Sequence, residues 1–102
     1  MAKLYVTEYQ DMPRDSKGIA VVCGNEIDGG GVDQVVDFTA GVTQSAAFGA
    51  ETRFVRVHTD AICSVKFGTN PTATTSNKRM AAGQTEFYGV KGGQKVSAII
   101  NT

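Results

Sequence analysis

The feature that most constrains the fold is a series of short segments in which apolar and polar residues alternate. Gly, Asn, Asp or Pro separates one segment from the next. A period of two places the apolar side chains on one face of an extended chain, so the pattern predicts about eight short β-strands, each with one buried face. The predicted strands are 3–9, 18–23, 32–39, 44–48, 52–59, 62–67, 85–90 and 95–100.

The chain has 102 residues, which is the size of one domain. No segment shows an apolar stripe at helical spacing, so we expect mostly β structure. Alternating faces over strands this short are buried in a two-sheet sandwich, a jelly roll or a small barrel. We therefore predict a single all-β domain over 1–102, a small antiparallel β-sandwich or jelly roll.

Segments 52–59 and 62–67 form the clearest strand pair in the sequence. In the first, Val55 and Val57 share one face and are expected to point into the core. Only two residues separate the segments. This spacing is typical of a tight hairpin, so we predict that the two strands are neighbours in one sheet.

The segment 68–79 contains almost no large apolar residues, and we interpret it as a long polar loop or an extended arm. Loops of this length are uncommon in small domains and often carry function. We therefore expect it to contribute to partner contact, together with acidic residues of the glycine-rich run 25–33. The candidate contact residues are Thr69, Asn70, Pro71, Asn77, Lys78, Arg79, Asp28 and Asp33.

Catalytic chemistry is not indicated by the sequence. His58 is the sole histidine, and a Ser or Cys nucleophile needs such a base together with an orienting carboxylate. Asp60 lies two residues further on, but no Gly-x-Ser-x-Gly or comparable nucleophile motif is present. We expect no enzyme, no catalytic residues and no cofactor.

Metal binding is not indicated either. Cys23 and Cys63 lie far apart, without CxxC spacing, so no zinc site is predicted. We interpret both as small buried apolar side chains and leave a disulfide open as the alternative. The run 25–33, with Asp37 after it, gathers several oxygen ligands but lacks the spacing of an EF-hand loop, so we interpret it as a flexible turn.

Nucleic acid and membranes are not the expected partners. Ten basic residues balance ten acidic ones, whereas phosphate-binding proteins are usually basic. The aromatic residues are spread along the chain and are not clustered with Arg or Lys, which argues against a stacking platform for single strands. No stretch approaches the roughly 18–20 apolar residues of a membrane span, and no signal peptide is recognised.

The neutral total hides a division between the two halves of the chain. Residues 1–51 carry eight acidic and three basic residues, a formal charge of −5, whereas residues 52–102 carry two acidic and seven basic residues, a formal charge of +5. If the fold keeps the halves on different surfaces, complementary patches would dock copies of the chain to each other or to a larger partner. If strands from both halves interleave, the asymmetry disappears.

Several phrases in the second half of the chain resemble small virion proteins of tailed bacteriophages, and the opening AKLYVTEY at 2–9 is similar too. These phrases are TRFVRV at 52–57, DAICSVKFG at 60–68, NPTAT at 70–74, AGQTEFYGV at 82–90 and KVSAI at 95–99. The resemblance implies a structural component of a phage particle and supplies no catalytic residues.

We therefore expect a capsid decoration or cementing protein, made in the host cytoplasm and located in the virion. It would bind the major capsid protein or other virion proteins, with self-association in the particle. A head-fibre, neck or tail component acting as an oligomer is the alternative. A carbohydrate-binding or calcium-dependent adhesion module is a third possibility.

Overall fold

In the part of the chain that the structure describes, nine strands form two antiparallel sheets. This computed structural model describes residues 2–11, 17, 25–26 and 33–102. These residues contain no helix, so the predicted all-β sandwich class is confirmed. It follows that none of the described residues forms a helix long and apolar enough to cross a membrane. The strands are β1 (Lys3–Asp11), β2 (Asn25–Glu26), β3 (Asp33–Asp37), β4 (Thr43–Gln44), β5 (Phe54–Thr59), β6 (Cys63–Gly68), β7 (Lys78–Met80), β8 (Thr85–Gly89) and β9 (Lys95–Ile100).

The two sheets are built from different parts of the chain. The first has the order β2-β1-β5-β8, with β3 also paired to β1, and the second has the order β4-β9-β6-β7. Six of the predicted segments contain or overlap strands β1, β3, β5, β6, β8 and β9, and the segment 44–48 is reduced to the short β4. The predicted strand 18–23 and Cys23 lie outside the described residues, and the short β2 and β7 were not predicted.

The core lies between the sheets and is filled by the inward side chains of both. Val55 and Val57 on β5 are fully buried, as their alternation predicted. Phe38, just after β3, is the largest fully buried side chain. The other core side chains from the sheets include Leu4, Val6, Val36, Cys63, Val65, Met80, Val96 and Ala98.

The predicted hairpin between β5 and β6 is wrong, because the two strands belong to different sheets. The Asp60 amide donates to the Lys3 carbonyl of the first sheet (3.0 Å), whereas the Ile62 carbonyl accepts from Asn101, just after β9 of the second (3.0 Å). The chain therefore crosses between the layers at Ala61. Crossing allows the apolar faces of β5 and β6 to pack against each other, which a hairpin within one sheet would not achieve.

Residues 69–77, here called the strap, lie along the outer face of the second sheet. Within it Pro71 and Ala73 are buried. The Ala73 amide donates to Ser97 Oγ on β9 (3.0 Å), and Asn101 Nδ2 donates to both Ser64 Oγ on β6 (2.7 Å) and the strap carbonyl of Thr75 (3.1 Å). The strap thus buries polar strand positions that would otherwise face solvent.

Candidate docking face

Aromatic side chains project from the outer surface of the first sheet. Along β1 and β5 alternate residues point away from the core, because successive side chains of a strand point to opposite faces. The antiparallel register sets Tyr9 opposite Phe54 and Tyr5 opposite His58, and on β8 it sets Phe87 opposite Arg56. We call this surface the aromatic face; its members are Tyr5, Tyr9, Val35, Phe54, Arg56, His58 and Phe87.

Three of the rings form one cluster. The ring centroids of Tyr9 and Phe54 lie 5.0 Å apart in a stacked arrangement, and Phe87 lies 6.3 Å from each of them. A fourth ring, that of Tyr5, lies 6.4 Å from the imidazole of His58. These distances fall within the range of favourable aromatic contacts, so neighbouring strands hold the rings against one another.

The aromatic face is open to solvent at several of its members. Phe87 is 59% exposed, Val35 is 54% exposed and Tyr5 is 39% exposed. Val35 on β3 lies opposite Tyr5 on β1, so these two exposed apolar side chains are neighbours. Isolated exposed apolar residues are ordinary on a protein surface, but contiguous ones mark interaction sites.

A shallow depression of about 380 Å³ lies in this surface. Its lining includes apolar groups, from Tyr5 and Val35, and polar or charged groups, from Thr7, Asp33, Arg56 and His58. The depression is open rather than enclosed, so it suits a protruding side chain or a surface ligand better than a small molecule that must be fully enclosed.

Among the described side chains of the first sheet, the outward charges balance. Lys3 and Arg56 are basic, and Asp33 and Asp37 on β3 are acidic. Asp33 Oδ1 accepts a hydrogen bond from Thr7 Oγ1 (2.8 Å), and hydrogen bonds from the side chain and backbone of Thr39 lower the pKa of Asp37. The carboxylate of Asp37 is therefore held in its charged form, and the described charges of this face sum to nearly zero.

The polar groups of the described residues form no recognised catalytic or metal-binding arrangement. His58 Nδ1 is hydrogen-bonded to Thr85 Oγ1 (2.7 Å), and Asp60 is exposed beyond the end of β5. The described residues contain no group of three or more His, Cys, Asp or Glu placed to hold a metal ion. Cys63 is a free, buried cysteine, and burial raises the pKa of its thiol.

Within the strap, the candidate contact residues differ in exposure. Thr69 and Asn70 are exposed, and Asn70 Oδ1 accepts from Gln44 Nε2 (2.9 Å). Pro71 is buried, and its carbonyl accepts from the same amide (2.6 Å). Asn77 is half-buried, and its Oδ1 accepts from the Thr74 amide (2.7 Å), which closes a turn before β7. Several strap side chains thus hold the strap itself in place.

The basic pair at the start of β7 is exposed. Lys78 Nζ lies 4.7 Å from the ring centroid of Tyr88, which is a cation–π contact between the two sheets. Arg79 Nε donates to the carbonyl of Thr102 (3.4 Å). Lys78 therefore has a structural contact of its own, and replacing it would change more than surface charge.

Of the two acidic candidates, Asp33 lies apart from the strap residues. Asp33 is on the first sheet, at the depression, whereas the strap lies on the second. Asp28 and the rest of the glycine-rich run 27–32 lie outside the described residues. The structure thus distributes the described candidates over two surfaces and does not bring them into one site.

The expectation that the aromatic residues are scattered is wrong for this sheet. Strand register brings together Tyr9, Phe54 and Phe87, which are far apart in sequence, and sets Arg56 beside them. The signal in the sequence was the placement of Tyr5 and Tyr9 at alternate positions of one strand, which predicts a shared face. Which strand lies beside β1 depends on the sheet topology, and the sequence did not determine the topology.

The fold and this surface define the class of the protein: a small two-sheet β protein whose most distinctive described feature is an open, charge-balanced aromatic face. Comparison with known proteins found no matching family model, no matching curated protein and no matching solved structure.

Proposed function

We propose that the protein is a non-enzymatic component of a tailed-phage particle, a decoration or cementing protein that binds the assembled capsid shell through its aromatic face. The observation that carries the proposal is the cluster of exposed aromatic and apolar side chains on one sheet. Aromatic residues supply much of the binding energy at protein interfaces. The resemblance of the second half of the chain to phage virion proteins supports the choice of partner.

The charge balance of the face supports a protein partner over nucleic acid. Grooves that track a phosphate backbone are strongly basic, because each neutralised phosphate releases counterions. Here Lys3 and Arg56 are offset by Asp33 and Asp37. A nearly neutral face that combines aromatic rings with polar groups has the composition of a protein–protein interface.

The proposal is tested with shells that lack the protein. Purified protein added back to such shells should bind them and restore their resistance to heating. Val35→Glu should weaken binding, because it places a charge among exposed apolar groups of the aromatic face. Val42→Glu is the matched control, since Val42 is also an exposed valine (45%) and lies outside the aromatic face.

Full binding and full heat protection by Val35→Glu would contradict docking through this face. Shells that resist heat equally well with and without the protein would contradict a cementing role. An image reconstruction of the particle locates the chain, and density at the neck, tail or fibre would favour the oligomeric alternative over decoration.

The depression gives a second candidate function, a carbohydrate-binding module. Sugar sites commonly combine an aromatic ring for the apolar face of the sugar with polar groups for its hydroxyls, and Tyr5, Arg56 and His58 line this depression. A rise in melting temperature on adding host cell-surface polysaccharide would favour this function. Tyr5→Ala should abolish that rise.

A further inference from the structure

Strand β8 forms an edge of the first sheet, and within the described ranges it pairs only with β5. An edge strand presents a row of backbone N–H and C=O groups that another strand can pair with. The identity of those groups, and of the side chains beside them, decides which kind of strand fits.

The hydrogen bonds flanking β8 show which of its backbone groups point outward. The Val90 amide donates to the Arg53 carbonyl (2.9 Å), and the Thr59 amide donates to the Gln84 carbonyl (3.2 Å). In an antiparallel pair, residues alternate between those bonded to the partner and those whose groups face away. The even-numbered residues of β8 therefore face β5, and the backbone groups of Thr85, Phe87 and Gly89 face the open edge.

The usual protections against edge pairing are largely missing from β8. The strand has no Pro and no Lys, and its pairing with β5 runs in register from residue 85 to residue 89 without a bulge. Its one charge, Glu86, points toward the core side, which is a protective feature in some edge strands, and accepts a hydrogen bond from Gln84 Nε2. Phe87, at the centre of the strand, is the most exposed large apolar side chain of the described residues.

We propose that β8 pairs antiparallel with β8 of a second copy of this chain, about a two-fold axis at Phe87. In this register Phe87 lies opposite its mate and Thr85 lies opposite Gly89. All three outward residues of each copy are then bonded, which makes six backbone hydrogen bonds. The first sheets of the two copies become one continuous sheet.

The neighbouring registers are less favourable. Centring the pair on residue 86 sets Glu86 opposite Glu86 and leaves four hydrogen bonds, and like charges directly opposite one another are destabilising. Centring the strand pair on residue 88 also leaves four hydrogen bonds. The register centred on Phe87 sets Glu86 opposite Tyr88, so it has the longest ladder and avoids the charge repulsion.

The side chains favour the same pairing. Phe87 already contacts Phe54 and Tyr9 on one side only, toward its own sheet. In the dimer its other side meets the second Phe87, so the two aromatic clusters form one continuous strip. A five-residue edge is short, so we expect it to bury less than the roughly 1,200 Å² of standard stable interfaces and the dimer to be weak and dependent on concentration.

Sedimentation velocity between about 10 μM and about 1 mM tests the pairing, since weak interfaces dissociate in this range. The wild-type chain should shift from monomer to dimer.

Phe87→Pro removes an outward amide without removing a hydrogen bond to β5, and should raise the dimer dissociation constant at least about tenfold. Phe87→Thr keeps the amide and removes the ring, so its effect should be intermediate. Val35→Thr is the control and should leave dimerisation unchanged, because Val35 lies on β3, which is separated from β8 by β1 and β5.

Hydrogen exchange gives an independent measurement on the unmodified chain. The amides of Thr85, Phe87 and Gly89 should become more protected as concentration rises, while those of Glu86 and Tyr88 are protected throughout. A chain that stays monomeric to about 1 mM overturns the proposal, and so does a dimer whose dissociation constant neither Phe87 variant changes. These measurements need no capsid, so they succeed or fail independently of the proposed function.

Discussion

Tyr88 carries a buried hydroxyl that has no hydrogen-bond partner among the described residues. Its ring packs against Phe67 with centroids 4.7 Å apart and receives the ammonium group of Lys78. Burial, and then the charges of Glu86 and Cys63, raise the pKa of Tyr88 to about 12. The ring is therefore stabilising in the folded state, whereas the hydroxyl is a group that loses its hydration without compensation.

Tyr88→Phe should be as stable as the wild type at about pH 7, or more stable by about 1 kcal/mol, because it removes only the unpaired hydroxyl. The folded-state pKa is raised, so the contribution of the neutral tyrosine to stability is full below about pH 10 and is lost as pH rises through about 12. The advantage of the variant should therefore grow in that window. Urea unfolding at several pH values measures it, with the exposed Tyr5→Phe as control. A loss of more than about 1 kcal/mol at neutral pH would show that the hydroxyl has a partner.

The burial of a single residue was predictable from the sequence where it depended only on the alternation of apolar and polar residues. Val55 and Val57 were assigned to the core correctly because a period of two needs no knowledge of the partner strand. Glu8 was not recognised as a buried residue: it is 6% exposed, and its carboxylate accepts from Thr52 Oγ1 (2.7 Å) and the Gly49 amide (2.8 Å). Those donors are more than forty residues away, so no local pattern indicates that a carboxylate is stabilised there.

The strap is an element that stabilises the second sheet without being a strand. Ser64 and Ser97 occupy outward positions on β6 and β9, yet both are fully buried. The strap covers them and satisfies Ser97 through the Ala73 amide. A buried hydroxyl and a buried amide that are hydrogen-bonded to each other change the stability of the fold little. If one of them is removed, the other stays buried without a partner and lowers the stability.

Ser97→Ala should therefore destabilise the protein by about 1–3 kcal/mol, because it leaves the Ala73 amide buried and unpaired. Hydrogen exchange at residues 73–75 should become faster, since the strap loses its central attachment. Thr69→Ala is the control: Thr69 is exposed at the start of the strap, and its loss should change stability by less than about 0.5 kcal/mol. Equal stability of Ser97→Ala and wild type would show that the strap does not depend on this bond.

The positions of the strands were largely predictable from the sequence, whereas the pairing between strands was not. The bounds of β9 were predicted to the residue, because alternation and flanking glycines mark a strand clearly. The pairing of β5 with β6 was wrong, because a two-residue connection fits a crossing between layers as well as a hairpin. Sequence alternation specifies which side chains share a face, and it does not specify which strand lies beside it.

At the scale of the whole molecule, the division of charge along the chain is partly preserved. In the first sheet, β1 of the acidic half pairs with β5 of the basic half, so this sheet combines strands from both halves and the outward charges of its described side chains balance. The second sheet takes all its charged strand residues from the basic half. These are Lys66, Lys78, Arg79 and Lys95. Lys78 contacts Tyr88 between the sheets, whereas Lys66, Arg79 and Lys95 occupy outward positions. The protein therefore has a nearly neutral aromatic face on one side and a basic surface, formed by these three residues, on the other.

The two surfaces respond differently to salt, which identifies the one that binds the shell. Screening shortens the range of charge interactions from about 10 Å at 0.1 M salt to about 3 Å at 1 M, whereas burial of apolar surface is not weakened by it. If the aromatic face docks, the protein should stay bound to shells at about 1 M NaCl, and Lys66→Glu should bind as the wild type does. Co-sedimentation with shells over a salt series measures both. Release by salt together with loss of binding by Lys66→Glu would assign docking to the basic surface of the second sheet, because only that surface depends on charge.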